Sequence, residues 1–128
     1  MKARLILAIA LAICLNLATL GCLGGKVTRG YIADTGGNAD QGAQLIEQYR
    51  CGSCHIVPGI RDARGLVGPP LNYFARRTFI GGEVPNNPGN LVQWIQNPQS
   101  IESGTAMPNL GLTEQQARDV AAYLYTLR

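Results

Sequence analysis

The sequence predicts an all-α domain, and three observations carry that reading. Apolar residues recur at helical spacing in two stretches, as Leu45, Ile46 and Tyr49 and as Ala117, Val120, Ala121, Leu124 and Leu127. Helix signals frame such runs: Thr113 with Gln116 three residues on forms a capping box, and Pro98 stops the helix that precedes it. No stretch alternates apolar and polar residues as a half-buried strand would, and no segment repeats. The 128 residues suffice for one small domain. A core of that size is limited, so a large bound cofactor would become part of it.

The first element is a leader, residues 1–22. Lys2 and Arg4 precede an apolar run from Leu5 to Leu20, broken by Asn16 and Thr19, which is the layout of an export signal. Thr19-Leu20-Gly21-Cys22 resembles a bacterial lipoprotein cleavage box, with Cys22 as the lipid-bearing residue, although Leu20 stands where a small residue is commoner. Two other readings stay open. The run nearly reaches the roughly 20 residues that span a bilayer, so it could be an uncleaved anchor, or it could be a conventional signal that releases a soluble protein. All three put the domain outside the cytoplasm, on the periplasmic side of the membrane.

Residues 23–39 are rich in Gly and small polar side chains and read as a flexible tether. The domain proper is expected over 40–128. Its first helix runs from about Asp40, at or near the N-cap, to Arg50. Residues 56–70, with Pro58, Gly59, Gly65, Gly68, Pro69 and Pro70, are loop. A short helix is expected over Leu71 to Arg77, and Gly81 to Gly89 is irregular. Asn90 opens a helix from Leu91 to Asn97, a loop then carries Gly104, Thr105, Met107 and Pro108, and the last helix follows Thr113.

Eleven Lys and Arg oppose eight Asp and Glu, a net +3. Lys2 and Arg4 belong to the leader, which leaves nine cations against eight anions in the rest. No basic patch points to nucleic acid.

The chemistry is concentrated at Cys51-Gly52-Ser53-Cys54-His55. Two thiols three residues apart can each add to one haem vinyl group, and the adjacent His then supplies an axial ligand, so the motif reads as a covalent site for one haem c. A zinc site needs four ligands, and beyond these three residues the domain has no Cys or His, so a carboxylate would have to complete it. A thioredoxin-like dithiol needs a βαβ context, and no strands are predicted. A structural Cys51–Cys54 disulfide would leave a core with few large side chains. His55 is the one His in the chain, so two-His ligation is excluded. Met107 is the one Met beyond Met1, and it lies in a Gly/Pro-bounded loop where a core gap-filler would not. Elimination makes Met107 the sixth ligand, the alternative being an open or Lys-bound iron.

These residues together resemble the class I, monohaem cytochrome c family, as a bacterial exported or membrane-anchored member. The resemblance covers roughly Asp40 to Arg128. Its motifs, in order, are Cys51 to His55, Gly68-Pro69-Pro70-Leu71, Asn97-Pro98, Gly104-Thr105-Ala106-Met107-Pro108 and Ala122-Tyr123-Leu124. The family implies about four helices wrapped around the haem. It implies that the Pro69 carbonyl accepts from Nδ1–H of His55 and that Leu71 packs on the haem. Arg77, eight residues after Pro69, would pair with a propionate, or else be a solvated surface Arg. Thr105 would bond a propionate near the Met loop. Trp94, thirteen residues before Met107, would place its ring against the haem or serve as an ordinary core Trp.

There are departures. Relatives carry a Gly eight residues before the first haem Cys, where the first and last helices cross. Here that position is Ala43 and Gly42 precedes it, so a shifted or wider crossing is expected. The loop from His55 to Pro69 is longer than in the mitochondrial proteins. Those proteins ring the haem edge with Lys, whereas this chain has no Lys after Lys26 and offers Arg61 and Arg64.

A six-coordinate iron has no open site for substrate, and no Ser–His or Cys–His nucleophile pair remains once His55 is used. The expected function is one-electron transfer in a respiratory chain, not catalysis, with a terminal oxidase or a quinol-oxidising complex among the partners. A fixed electron-input subunit of a membrane oxidase or reductase is the alternative, favoured by the tether and Cys22. A haem enzyme or gas sensor with an open iron is a third reading, which Met107 opposes.

Overall fold

The computed structural model describes residues 33–128. The leader, Cys22 and residues 23–32 of the expected tether lie outside the described residues. No helix among the described residues is long and apolar enough to cross a membrane.

Among the described residues there are three α-helices, three 3-10 turns and one short ribbon. Helix α1 spans Ala39–Gln48. Its N-cap is Asn38, two residues earlier than Asp40: the Asn38 carboxamide oxygen accepts from the backbone N–H of Asp40 and Gln41 at 2.9 and 3.1 Å. Asp40 sits instead in the first turn, where a carboxylate favours the positive end of the helix dipole. The helix stops short of Arg50 because Arg50 turns left-handed at φ 54° to start the turn that follows.

Helix α2 spans Pro88–Gln96. It begins two residues before the expected Asn90, because Asn87 is the cap and accepts from Asn90 N–H at 2.9 Å. Pro88 then occupies the first turn, where its missing N–H costs nothing. Helix α3 spans Glu114–Leu124 behind the predicted capping box, with Thr113 and Gln116 bonded in both directions.

The expected helix over Leu71 to Arg77 is only a 3-10 turn, Phe74–Arg76. Tyr73 enters it left-handed at φ 54°, which an α-helix cannot include. Directly after it, Phe79–Ile80 (β1) pairs antiparallel with Val84–Pro85 (β2). Two-residue strands are too short to show alternation, so the sequence carries no strand signal here. Gly81 and Gly82 make the connection at φ 61° and 85°, a backbone that other residues rarely adopt.

Helix α3 packs against both α1 and α2. Its Ala117 and Ala121 are fully buried, Ile46 of α1 and Leu91 of α2 are 1% exposed, and Val57 and Pro98 seal the loops onto this core. The α1–α3 crossing is close. A Cβ built at Gly42 would lie 2.0 Å from the Asp119 carbonyl oxygen and 3.0 Å from Cβ of Tyr123. The crossing has moved by one residue to Gly42 and has not widened.

The segment before α1 is also held. Arg118 donates to Thr35 O at 3.0 Å, Gln115 to Gly36 O at 3.2 Å, and Asn38 N–H to the Asp119 carboxylate at 2.8 Å. A Cβ at Gly37 would sit 2.1 Å from Arg118 O. Composition made residues 23–39 a flexible tether; over 34–38 the chain is instead bonded to α3, Gly37 allows the close approach, and Thr35 is buried.

Candidate functional site

The Cys51 to His55 segment is one tight turn. Cys51–Ser53 is 3-10, with the Cys51 carbonyl accepting from Cys54 N–H at 3.2 Å and from His55 N–H at 3.0 Å. Both thiols are free and half-buried. Burial, with the nearby Cys54 adding to it, pushes the Cys51 thiol above its ordinary value. The turn is backed by the loop that follows. Gly65 N–H donates to Gly52 O at 2.9 Å and Gly68 N–H to Cys54 O at 2.8 Å. A Cβ at Gly65 would strike the Cys54 backbone at 2.4 Å.

His55 is oriented from the same loop. Its Nδ1 lies 2.7 Å from the Pro69 carbonyl. A carbonyl only accepts, so Nδ1 carries the proton and Nε2 keeps its lone pair. Gly68 lies against the ring, and a Cβ there would be 2.3 Å from Cε1. Leu71 N–H donates to Ile56 O at 2.8 Å, fixing the Pro69-Pro70-Leu71 strap, and Leu71 is half-buried against the core. Tyr123 of α3 donates to Pro58 O at 2.7 Å and ties the far side of the loop to the helix crossing.

Arg77 donates to the Pro70 carbonyl, next to the peptide that holds His55. Its guanidinium also lies 5.4 Å from the centroid of the Phe74 ring, and burial lowers its pKa. It is therefore partly withdrawn from solvent and not a freely solvated surface Arg. Trp94 on α2 is half-buried, with the Gly81 turn against its indole: a Cβ at Gly81 would be 2.8 Å from the ring. Met107 is half-buried in a loop held at two points. Gln99 donates to Met107 O at 2.7 Å, and Met107 N–H donates to the Thr105 hydroxyl at 3.3 Å. Thr105 keeps its own O–H free to donate elsewhere.

Two of these contributors, Gln99 and Asn86, escape sequence reading. Both act through a carboxamide that reaches main-chain carbonyls, a contact with no spacing signature. A hollow of about 530 Å³ between α2 and α3, lined by Val92, Gln96, Glu114 and Arg118 among others, holds none of the predicted site residues. Among the described residues no three His, Cys, Asp or Glu side chains converge as a metal cage.

The described residues thus form a mostly helical domain with a Cys-x-x-Cys-His turn directly after its first helix. The cytochrome c family model matches residues 39–128, and the chain belongs to the cytochrome c family. It is similar to cytochrome c oxidase subunit 2 of Alkalihalophilus pseudofirmus, 37% identical over 91 residues that cover 70% of this chain and 26% of that protein. The same-named proteins of Bacillus subtilis and Bacillus sp. (strain PS3) are 35% and 33% identical, over 54% and 66% of this chain and 20% and 25% of theirs. The chain thus spans about a quarter of the length of the curated relatives it matches.

The family implies covalent haem c, and the donor set fits it. One turn presents two free thiols and an imidazole whose Nδ1–H is already spoken for, which leaves the Nε2 lone pair available to a metal.

Proposed function

We propose that this domain is a one-electron carrier of a respiratory chain, its haem c attached through Cys51 and Cys54 and ligated by His55 and Met107. The observation that carries the reading is the Nδ1–Pro69 hydrogen bond beside two free thiols. When bound, haem c supplies a reversible one-electron iron couple. The chain supplies orientation. Pro69 fixes the tautomer and the ring plane of His55 and makes it the better electron donor to a metal. Gln99 and Thr105 hold the Met107 loop from its backbone, so the thioether is presented without a search through loop conformers. The partly desolvated Arg77 and the hydroxyl of Thr105 are the groups suited to the haem carboxylates. Leu71 and Trp94 supply apolar contact, and the closed ligand pair leaves no place for substrate.

The names of the relatives support a terminal oxidase as the electron acceptor and, in particular, a fixed electron-input role within such a complex. The leader supports export and attachment at the periplasmic side of the membrane, through Cys22 if the segment is processed as a lipoprotein.

The haem claim is tested by replacing Cys51 and Cys54 together with Ala. The expected result is a protein from which denaturant releases all haem, and haem that stays bound after denaturation overturns covalent attachment. Isolation from membranes under mild conditions tests the partner: an oxidase that co-purifies supports the input role, and a domain that washes off alone supports the mobile carrier.

A further inference from the structure

Asn86 lies in the loop between β2 and α2. Its half-buried carboxamide is fully engaged. Nδ2 donates to Phe74 O at 3.1 Å and to Arg77 O at 3.0 Å, and Oδ1 accepts from the hydroxyl of Tyr125 at 2.9 Å. Its own N–H donates to Thr78 O at 2.9 Å. One side chain therefore clamps both ends of the 3-10 turn Phe74–Arg76. A second clamp holds the middle of that turn, from Ala75 N–H to Leu127 O at 3.0 Å. Tyr125 is 5% exposed and sets its ring edge-on to Phe74 at 6.1 Å, so the far end of the clamp is rooted in the core.

What leaves this turn is Arg77, and Arg77 grips Pro70. Pro70 follows the residue whose carbonyl accepts from Nδ1 of His55. The Pro69-Pro70-Leu71 strap has three attachments: His55 through Pro69 O, Arg77 through Pro70 O, and Ile56 through Leu71 N–H. Neither proline has an N–H of its own, so the strap can gain no further hold from them. The position of the Pro69 carbonyl thus depends on where Arg77 stands, and Arg77 stands where Asn86 fixes its turn.

We propose that Asn86 is a positioning residue for His55: its carboxamide, rooted on Tyr125, fixes the turn that carries Arg77, and Arg77 in turn seats the Pro69 carbonyl on Nδ1–H of the histidine. This rests on the reading of His55 as the iron ligand.

The test uses the reduced, haem-loaded protein, labelled with nitrogen-15, and follows solvent exchange of the His55 Nδ1 proton relative to the backbone amide of Ala121 in α3. The ratio cancels any general loss of stability, which speeds both protons. In Asn86→Ala the Nδ1 proton should exchange about fivefold faster relative to Ala121, the factor expected for weakening roughly one hydrogen bond. Arg77→Gln should do the same, and the double variant should be no faster than the faster single one. An unchanged ratio in Asn86→Ala, or single effects that multiply in the double variant, overturns the proposal. Should Asn86→Ala fail to fold, Tyr125→Phe removes the bond onto Oδ1 while the Asn86 carboxamide stays in place, and it is read by the same ratio. If the unaltered protein lacks the ring-shifted resonances of an iron-bound His55, the ligand reading fails first and the proposal with it. If those resonances are present and the ratio does not move, Asn86 alone is refuted.

Discussion

At the level of single residues, the candidate ligands are visible in the sequence and the side chains that support them are not. One His, one Met beyond the initiator and a Cys-x-x-Cys pair leave few ways to build a haem site. Gln99 and Asn86 touch the same site through backbone carbonyls, and which carbonyl a carboxamide meets is decided by the fold. Met107→Ala should keep haem attached, lower the reduction potential and let the ferrous protein bind carbon monoxide rapidly. A ferric spectrum identical to that of the unaltered protein would remove Met107 from the iron. Tyr123 gives a pH prediction. Burial, and then the nearby Glu47 carboxylate, raise its phenol above the ordinary value, and only the protonated phenol donates to Pro58 O. A raised folded value means that its contribution is whole below about pH 10 and is lost as pH climbs through the raised value. Tyr123→Phe should flatten that alkaline limb of a stability curve. If the limb is identical in the variant, the bond to Pro58 contributes nothing that titrates.

At the level of elements, what was legible was local chemistry. The α3 start was readable because a capping box closes within four residues. The ribbon and the 3-10 turn were not, because a left-handed Tyr73 and a Gly81-Gly82 turn are imposed by what packs around them. The glycines before and within α1 show the same divide. Composition suggested slack at Gly37, which is instead a close backbone contact with α3, whereas the shift of the crossing to Gly42 was legible from the motif spacing. Gly42→Ala should therefore destabilise the protein by about 1–3 kcal/mol, since α1 and α3 must separate to admit the methyl group. Ala43→Gly, one residue on, should cost about 1 kcal/mol or less, from helix propensity alone. Equal losses in the two variants, read by thermal unfolding, would move the crossing away from Gly42.

For the whole molecule, class and cofactor were legible because CxxCH and the later motifs occur in a fixed order along 40–128. The partner was not, since docking is a property of surface shape and charge that no spacing encodes. A second property belongs to the whole chain. Tyr123 holds Pro58, Tyr125 holds Asn86, and the Leu127 carbonyl holds Ala75. The last six residues thus secure three loops that precede them by up to 65 positions. Ending the chain after Ala122 should leave covalent haem attachment intact but the ligand loops unfixed. The truncated protein should show a mixed or high-spin ferric spectrum, and a normal low-spin one would mean that the loops hold themselves.

Those three late contacts also impose an order of maturation. A chain made from its N-terminus reaches the thiol pair well before it reaches the tyrosines. Until α3 arrives and finds α1, a contact slow to form across so long a separation, Pro58, Ala75 and Asn86 lack these holds. The fixing of those earlier loops thus waits on the last helix, so a slow α1–α3 encounter delays all three together.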